Sequence, residues 1–313
     1  MKIALVVPGY GSQFVGMGKE LYDDSRVMQE YFEEASAIAN TNFVKLCFAS
    51  SEAELAKMAN AFPLLFLMSR SLYAVLAEQE IIPSVILGEG IGEYTAIACA
   101  GGINFADGLY LVGKYAQFYQ DLLATGTVGL LRVSGVKAPQ LDQWCLHANG
   151  PEQRVFIANI RSAQEIIVSG TTDGLAALKK ILDEHDVKYA DEHDAFELHS
   201  PVAQSVADSV KLYLNKVDCK DLSIPVVRSY DAQEITSAAD VAQTLVDRIV
   251  HPLDTHAQMA YIRRYDLIIQ IGPGTGLAQK IREWFPECVV ATVNQRSDIN
   301  ALKQYIQQQI SSE

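Results

Sequence analysis

Short apolar runs alternate with longer segments of helical period along this chain. Ile3 to Val7, Val85 to Leu87, Leu267 to Ile271 and Val289 to Val293 are apolar with no polar face, the pattern of parallel strands covered on both sides. Between them lie stretches with apolar residues three and four apart, such as Leu64 to Leu76 and Ala106 to Leu123. Asn104 is placed to cap the second of these helices. The alternation predicts a parallel α/β sheet with helices on both faces.

From about Thr127 to Leu198 the units shorten. Val128 to Val133 reads as a strand, Pro139 to His147 as a helix, Val155 to Asn159 and Glu165 to Ser169 as strands, Thr172 to Glu184 as a helix, and Lys188 to Asp191 as a last strand. That order is the split βαβ pattern of a ferredoxin-like unit. The expected organisation is therefore a large domain, 1–126 and 199–313, into which a small subdomain, 127–198, is inserted. No internal repeat interrupts this plan, and the tail Gln307 to Glu313 is expected to fray.

Composition narrows the function classes. With 313 residues, 49% of them hydrophobic, the chain can bury a full core as one large domain or two unequal ones. No apolar run reaches the roughly 18 residues of a membrane span, and Pro8 cuts the first run too short for a secretory signal. A formal charge of −13 argues against nucleic acid and against an anionic membrane. It also disfavours acidic partners unless a basic patch is local. Five scattered cysteines without Cys-x-x-Cys spacing support neither a zinc site nor a disulfide framework and fit a reducing cytoplasm. His147, His251 and His256 lack metal-ligand spacing, and His185 and His193 lie in acidic stretches, so no metal or other cofactor is expected.

The chemistry concentrates at Gly88-Glu89-Gly90-Ile91-Gly92-Glu93. A strand ending at Leu87, a Gly-x-x-x-Gly turn and a following helix have the form of a nucleophile elbow, which lifts one side chain above an α/β-hydrolase-like sheet. The central residue of a working elbow is Ser or Cys, activated by a histidine and served by backbone oxyanion donors. Here it is Gly90.

Pro8-Gly9-Tyr10-Gly11-Ser12-Gln13, Gly16-Met17-Gly18 and Gly92-Glu93-Tyr94-Thr95-Ala96 resemble the malonyl-CoA:acyl-carrier-protein transacylase family. Further matches follow in the family's order at 100–108, Ile157-Ala158-Asn159, Ile167-Val168-Ser169-Gly170, His199-Ser200-Pro201 and Ile271-Gly272-Pro273-Gly274, covering essentially the whole chain. In that family the elbow reads Gly-His-Ser-Leu-Gly-Glu, the serine takes an acyl group from coenzyme A, and a histidine in a His-x-Pro context is its base. The resemblance makes His199 that base and sets Glu89 and Gly90 at the altered elbow. It also implies substrate-binding positions at Tyr10, Gly11, Ile91, Tyr115 and Asn159. The family's glutamine beside the oxyanion hole is Tyr10 here, and its malonyl-binding arginine falls on Tyr115.

Losing the serine of such a pair typically costs about 10⁶-fold in turnover. Losing the arginine removes a charge-assisted contact of roughly 1.5–3 kcal/mol. Two tyrosines in their places suggest a larger, uncharged acyl group or a carrier-bound chain. Three readings follow. The chain serves fatty-acid or polyketide biosynthesis without acyl-serine transfer, by binding an acyl carrier protein, an acyl-CoA or other acyl thioester, or a partner synthase. Alternatively it remains an enzyme, a thioester hydrolase, a decarboxylase or a non-malonyl acyltransferase that uses Glu89 and His199 as an acid–base pair. In the third reading it is a structural subunit with a closed cleft. Ser200 and Cys99 are the nearest substitute nucleophiles in sequence.

Overall fold

The computed structural model describes residues 1–151, 153–192 and 197–312. Its strands are β1 (Ile3–Val7), β2 (Val85–Gly88), β3 (Val128–Ser134), β4 (Val155–Ser162), β5 (Glu165–Thr171), β6 (Lys188–Asp191), β7 (Val226–Val227), β8 (Glu234–Ile235), β9 (Leu267–Ile271) and β10 (Val290–Val293). Six of them form one sheet in the order β10, β9, β1, β2, β7, β8, with every neighbouring pair parallel except β7 and β8.

Side-chain alternation explains why β1 has no polar position. Leu5 and Val7 enter one apolar core, and Ala4 and Val6 enter another on the opposite face. The larger core includes the helix Met58–Glu78, which at 21 residues and a mean hydropathy of 1.3 is long and apolar enough to cross a membrane. The sequence reading found no such span. Interspersed Asn60, Ser69, Arg70 and Ser71 break the apolar run, and 72% of the window is buried inside the protein.

The other four strands form an antiparallel sheet in the order β4, β5, β3, β6. The helices Ala138–Ala148 and Thr172–Glu184 connect them, which gives the expected βαββαβ arrangement. Their apolar faces close a separate core around Leu141, Leu178 and Val168. This sheet is tied to the larger part through β4: Leu253 donates its amide to Ala158 O at 2.9 Å, and Ile160 donates to Leu253 O at 2.9 Å. Consequently one edge of the small sheet stands across from the carboxyl ends of β1 and β2, and a cleft lies between.

Candidate active site

Strands β1 and β2 are neighbours whose last residues, Val7 and Gly88, pair in register. The chain then turns sharply and starts the helix Gly92–Cys99 at once. Glu89 N–H donates back to Val7 O at 2.9 Å, and Gly92 N–H donates to Glu89 O at 2.9 Å. A side chain at Gly92 would put its Cβ 2.5 Å from Val7 O, so only glycine allows the helix this close to the strand. Gly90 sits at φ +51°, the left-handed region expected of an elbow residue. The amide of Ile91 has no hydrogen-bond partner among the described residues.

The side-chain space at Gly90 is filled. A Cβ there would lie 2.7 Å from Oε2 of Glu197, two residues before His199. The other oxygen of that carboxylate, Oε1, accepts from Tyr115 Oη at 2.7 Å and from Arg248 Nη2 at 3.0 Å. Arg248 stands in the last turn of the helix Ala238–Val250 and is fully buried. Its Nε donates to Glu93 Oε2 at 2.9 Å and its Nη1 to Tyr115 Oη at 3.1 Å. The guanidinium lies 5.3 Å from the ring centre of Tyr94 and 5.5 Å from that of Tyr115, within cation–π range. Ser229 completes the set, donating its amide and hydroxyl to Glu93 at 2.8 and 2.6 Å.

Charge states follow from these contacts. Burial disfavours the Arg248 cation, but Tyr115, Glu197 and Glu93 outweigh it and hold the guanidinium above its ordinary range. Burial likewise opposes ionisation of Glu197, yet Arg248, with smaller help from His199 and Tyr115, keeps this carboxyl below the usual value. Glu93 goes the other way: burial raises it despite Arg248 and Ser229. Tyr115 is raised well above its ordinary value, chiefly by burial, and so remains a neutral donor.

His199 takes the uncommon φ of +40°. Its Nδ1 is 2.6 Å from the carbonyl oxygen of Arg248, an atom that only accepts, so Nδ1 carries the proton and Nε2 the lone pair. Nε2 is 3.8 Å from Glu197 Oε1. Burial lowers the imidazole to about 4, with Arg248 acting in the same direction and Glu197 against it. At neutral pH this is an uncharged base.

Of the residues singled out from sequence, Tyr10, Glu89, Gly90, Asn159 and His199 line one cleft, together with Glu197 and Arg161. Glu89 pairs with Lys280 at 3.4 Å, and the carboxylate beside His199 is Glu197. Tyr10 donates to Ala56 O at 2.7 Å and packs edge-on against Phe62. Asn159 Oδ1 accepts from Thr255 at 2.9 Å. Tyr115 lies behind Glu197, and the Gly11 amide is taken by Gln13 at 2.8 Å. Ser200 shares a hydrogen bond of 2.6 Å with Ser169, both buried. Burial pushes the Cys99 thiol up to about 12. His193 lies outside the described residues.

The cleft that these residues line is small. It holds about 120 Å³. Since a cavity of about 150 Å³ accommodates benzene, a short acyl group fits within it. The tyrosines do not widen it, because one is turned onto Phe62 and the other is fully buried. No group of three or more potential metal ligands occurs among the described residues.

An elbow at the carboxyl end of a parallel sheet, faced by a histidine and by a small antiparallel sheet, defines an α/β protein of the acyltransferase kind. The chain belongs to the acyl transferase domain family, which matches residues 4–306. It is 30% identical over 286 residues to the malonyl CoA-acyl carrier protein transacylase of Bacillus subtilis strain 168, covering 90% of both chains. It is 28% identical over 292 residues to the Salmonella typhimurium protein of the same name, covering 90% of this chain and 93% of that one. An acyl-carrier-protein S-malonyltransferase from Burkholderia pseudomallei superposes with a TM-score of 0.88 at 27% identity, over 96% of this chain and 99% of that one. A type II polyketide synthase malonyl-transacylase solved with its acyl carrier protein shares the fold, with a TM-score of 0.87 at 24% identity over 96% of this chain and 98% of that one.

Sequence reasoning missed Glu197, Arg248 and the role of Glu93. One signal was present: Val241, Leu245, Arg248 and Ile249 occupy the buried stripe of a single helix, so a charged residue stands in an apolar register.

Proposed function

We propose that this chain serves fatty-acid or polyketide biosynthesis as an acyltransferase-family protein that engages an acyl thioester, borne by coenzyme A or an acyl carrier protein, without forming an acyl-serine. The observation that carries this reading is Gly90 at the elbow with the Glu197 carboxylate in its side-chain space. The names of the relatives supply the substrate class, and a short acyl group fits the cleft. Arg248 is already answered by two carboxylates, which leaves it no free edge for a malonyl carboxylate. The cleft divides a large domain, 1–126 and 199–313, from a small one, 127–198.

The test pairs transfer with binding. Malonyl transfer from malonyl-CoA to a holo carrier protein is expected at background, with saturable binding of acetyl-CoA or the carrier by titration calorimetry. An acyl group mapped to a serine, or no binding of either ligand, overturns the reading.

His199 favours a second reading in which the bound thioester is also processed. Its Nδ1 is anchored, its Nε2 is unprotonated and it lines the cleft. The carboxylate in contact with it is Glu197, whereas Glu89 is engaged by Lys280. Release of coenzyme A from acetyl-CoA, lost in His199→Gln, supports this reading. No release leaves binding alone.

A further inference from the structure

We propose that Glu197 is itself the nucleophile of this site, its Oε2 standing against the vacant side-chain position of the elbow and carrying the acyl group as a mixed anhydride. The inference rests on the reading that the cleft engages an acyl thioester.

Four observations point to it. Oε2 lies 2.7 Å from the place of the absent Cβ, so the carboxylate oxygen abuts the side-chain position from which an elbow presents its attacking atom. The two oxygens are differentiated: Oε1 accepts from Arg248 and Tyr115, which fixes the plane of the carboxylate and leaves Oε2 turned to the elbow. The amide of Ile91, at the start of the elbow helix, is an unspent donor for the oxygen of an attacked carbonyl. Finally, the neutral His199 stands beside the same carboxylate with Nε2 unprotonated, the state needed to take a proton from an incoming thiol or water. A serine at position 90 would collide with this carboxylate, so the glycine and the glutamate fit together as a pair.

The chemistry balances without a cofactor. In the first step Oε2 bonds to the thioester carbonyl carbon, the C–S bond breaks, and the thiolate leaves with its electron pair. In the second an acceptor thiol or a water molecule gives its proton to His199 Nε2 and attacks the acyl carbon. The anhydride C–O bond breaks and returns its electron pair to Glu197. The proton on His199 then passes to the departed thiolate. With a thiol acceptor the sum is acyl transfer, and with water it is hydrolysis. Because the Arg248 cation is already paired, an uncharged short acyl group is favoured over a dicarboxylic one.

Acetyl-CoA and isotope-labelled coenzyme A serve as probes. A covalent acyl carrier exchanges labelled coenzyme A into acetyl-CoA, whereas a general base that activates water does not. Exchange is therefore expected with the wild-type chain. Hydroxylamine that attacks the Glu197 carbonyl of the anhydride displaces acetate and leaves a hydroxamate on Glu197, found by peptide mapping and absent without acetyl-CoA, whereas attack at the acyl carbon releases acetohydroxamate. Exchange should fall to background in Glu197→Gln. The wild-type labelling needs no variant, so the proposal stays testable if that variant fails to fold. Release of coenzyme A without exchange, or exchange that survives in folded Glu197→Gln, overturns it. Saturable binding of acetyl-CoA with neither release nor exchange also overturns it and leaves the binding function standing. An acyl group on a serine overturns both.

Discussion

The central sheet and the cleft at its carboxyl ends bury their side chains in different ways. In β1 each residue adds its own apolar area to a core, and no residue depends on one particular partner; β9 does the same except at the hydrogen-bonded Gln270. Beneath the cleft Arg248, Glu93, Glu197, Tyr115 and Ser229 satisfy one another's polar groups in one buried network. Losses in the sheet should be graded with the volume removed. Losses in the network should be abrupt, because deleting one member leaves an uncompensated buried charge.

The largest effect is expected at Arg248. Arg248→Met keeps bulk but strips the cation from Glu93 and Glu197, which should cost about 3–5 kcal/mol in urea unfolding at neutral pH. Ile269→Val, deep in the sheet, should cost about 0.5–1.5 kcal/mol. If the two variants cost the same, the contrast between the regions is wrong.

Next is the pH dependence set by His199. Its folded value is about 4 against an ordinary 6.5, so between those limits the unfolded chain holds a proton that the folded chain does not. Stability should therefore fall as pH is lowered from 6.5 towards 4, by about 3 kcal/mol at most, and this contribution should level off below. Glu93, raised by burial, acts in the opposite sense above 4.5, while Glu197, held low, adds a loss only below 4.5. The contribution of His199 is thus the difference between the unfolding profiles of the wild-type chain and His199→Gln. Parallel profiles through this window would show that His199 titrates normally and is not held neutral by burial.

A smaller effect should separate fit from charge. Gly90→Ser places a side chain at φ +51° and against Glu197 Oε2, at a cost of about 1–3 kcal/mol. Repeating the substitution in a Glu197→Ala background should remove part of that cost, with a coupling of about 1 kcal/mol in the double-mutant cycle. Zero coupling would mean that the glycine answers only to the backbone.

These regions also differ in how far the sequence discloses them. Strands β1 and β9 were legible to the residue, because a strand buried on both faces writes its burial into consecutive letters. The elbow was legible because its glycines are demanded by local geometry. The two-residue strands β7 and β8 are too short to leave a period. Glu197 and Arg248 are 51 residues apart, and Glu93 and Arg248 are 155 apart, so no local spacing reports that they meet. Local adjacency drew attention to Glu89 at the elbow, while the carboxylate that fills the elbow's space arrives from the far side of the small sheet.

Glu89 therefore provides the finest test of the contrast. It belongs to the elbow by sequence, but its carboxylate is paired with Lys280 at 3.4 Å, and the two side chains retain 23% and 47% of their exposure. An ion pair in contact with water gains little, because solvent screens the attraction and two long side chains lose freedom in making it. Glu89→Gln should change the unfolding free energy by no more than about 0.5 kcal/mol. It should also leave the His199 titration window in place, since the carboxylate in contact with the imidazole is Glu197. A larger loss, or a His199 profile that moves with Glu89, would draw Glu89 into the buried network and shift the boundary of that network by one residue.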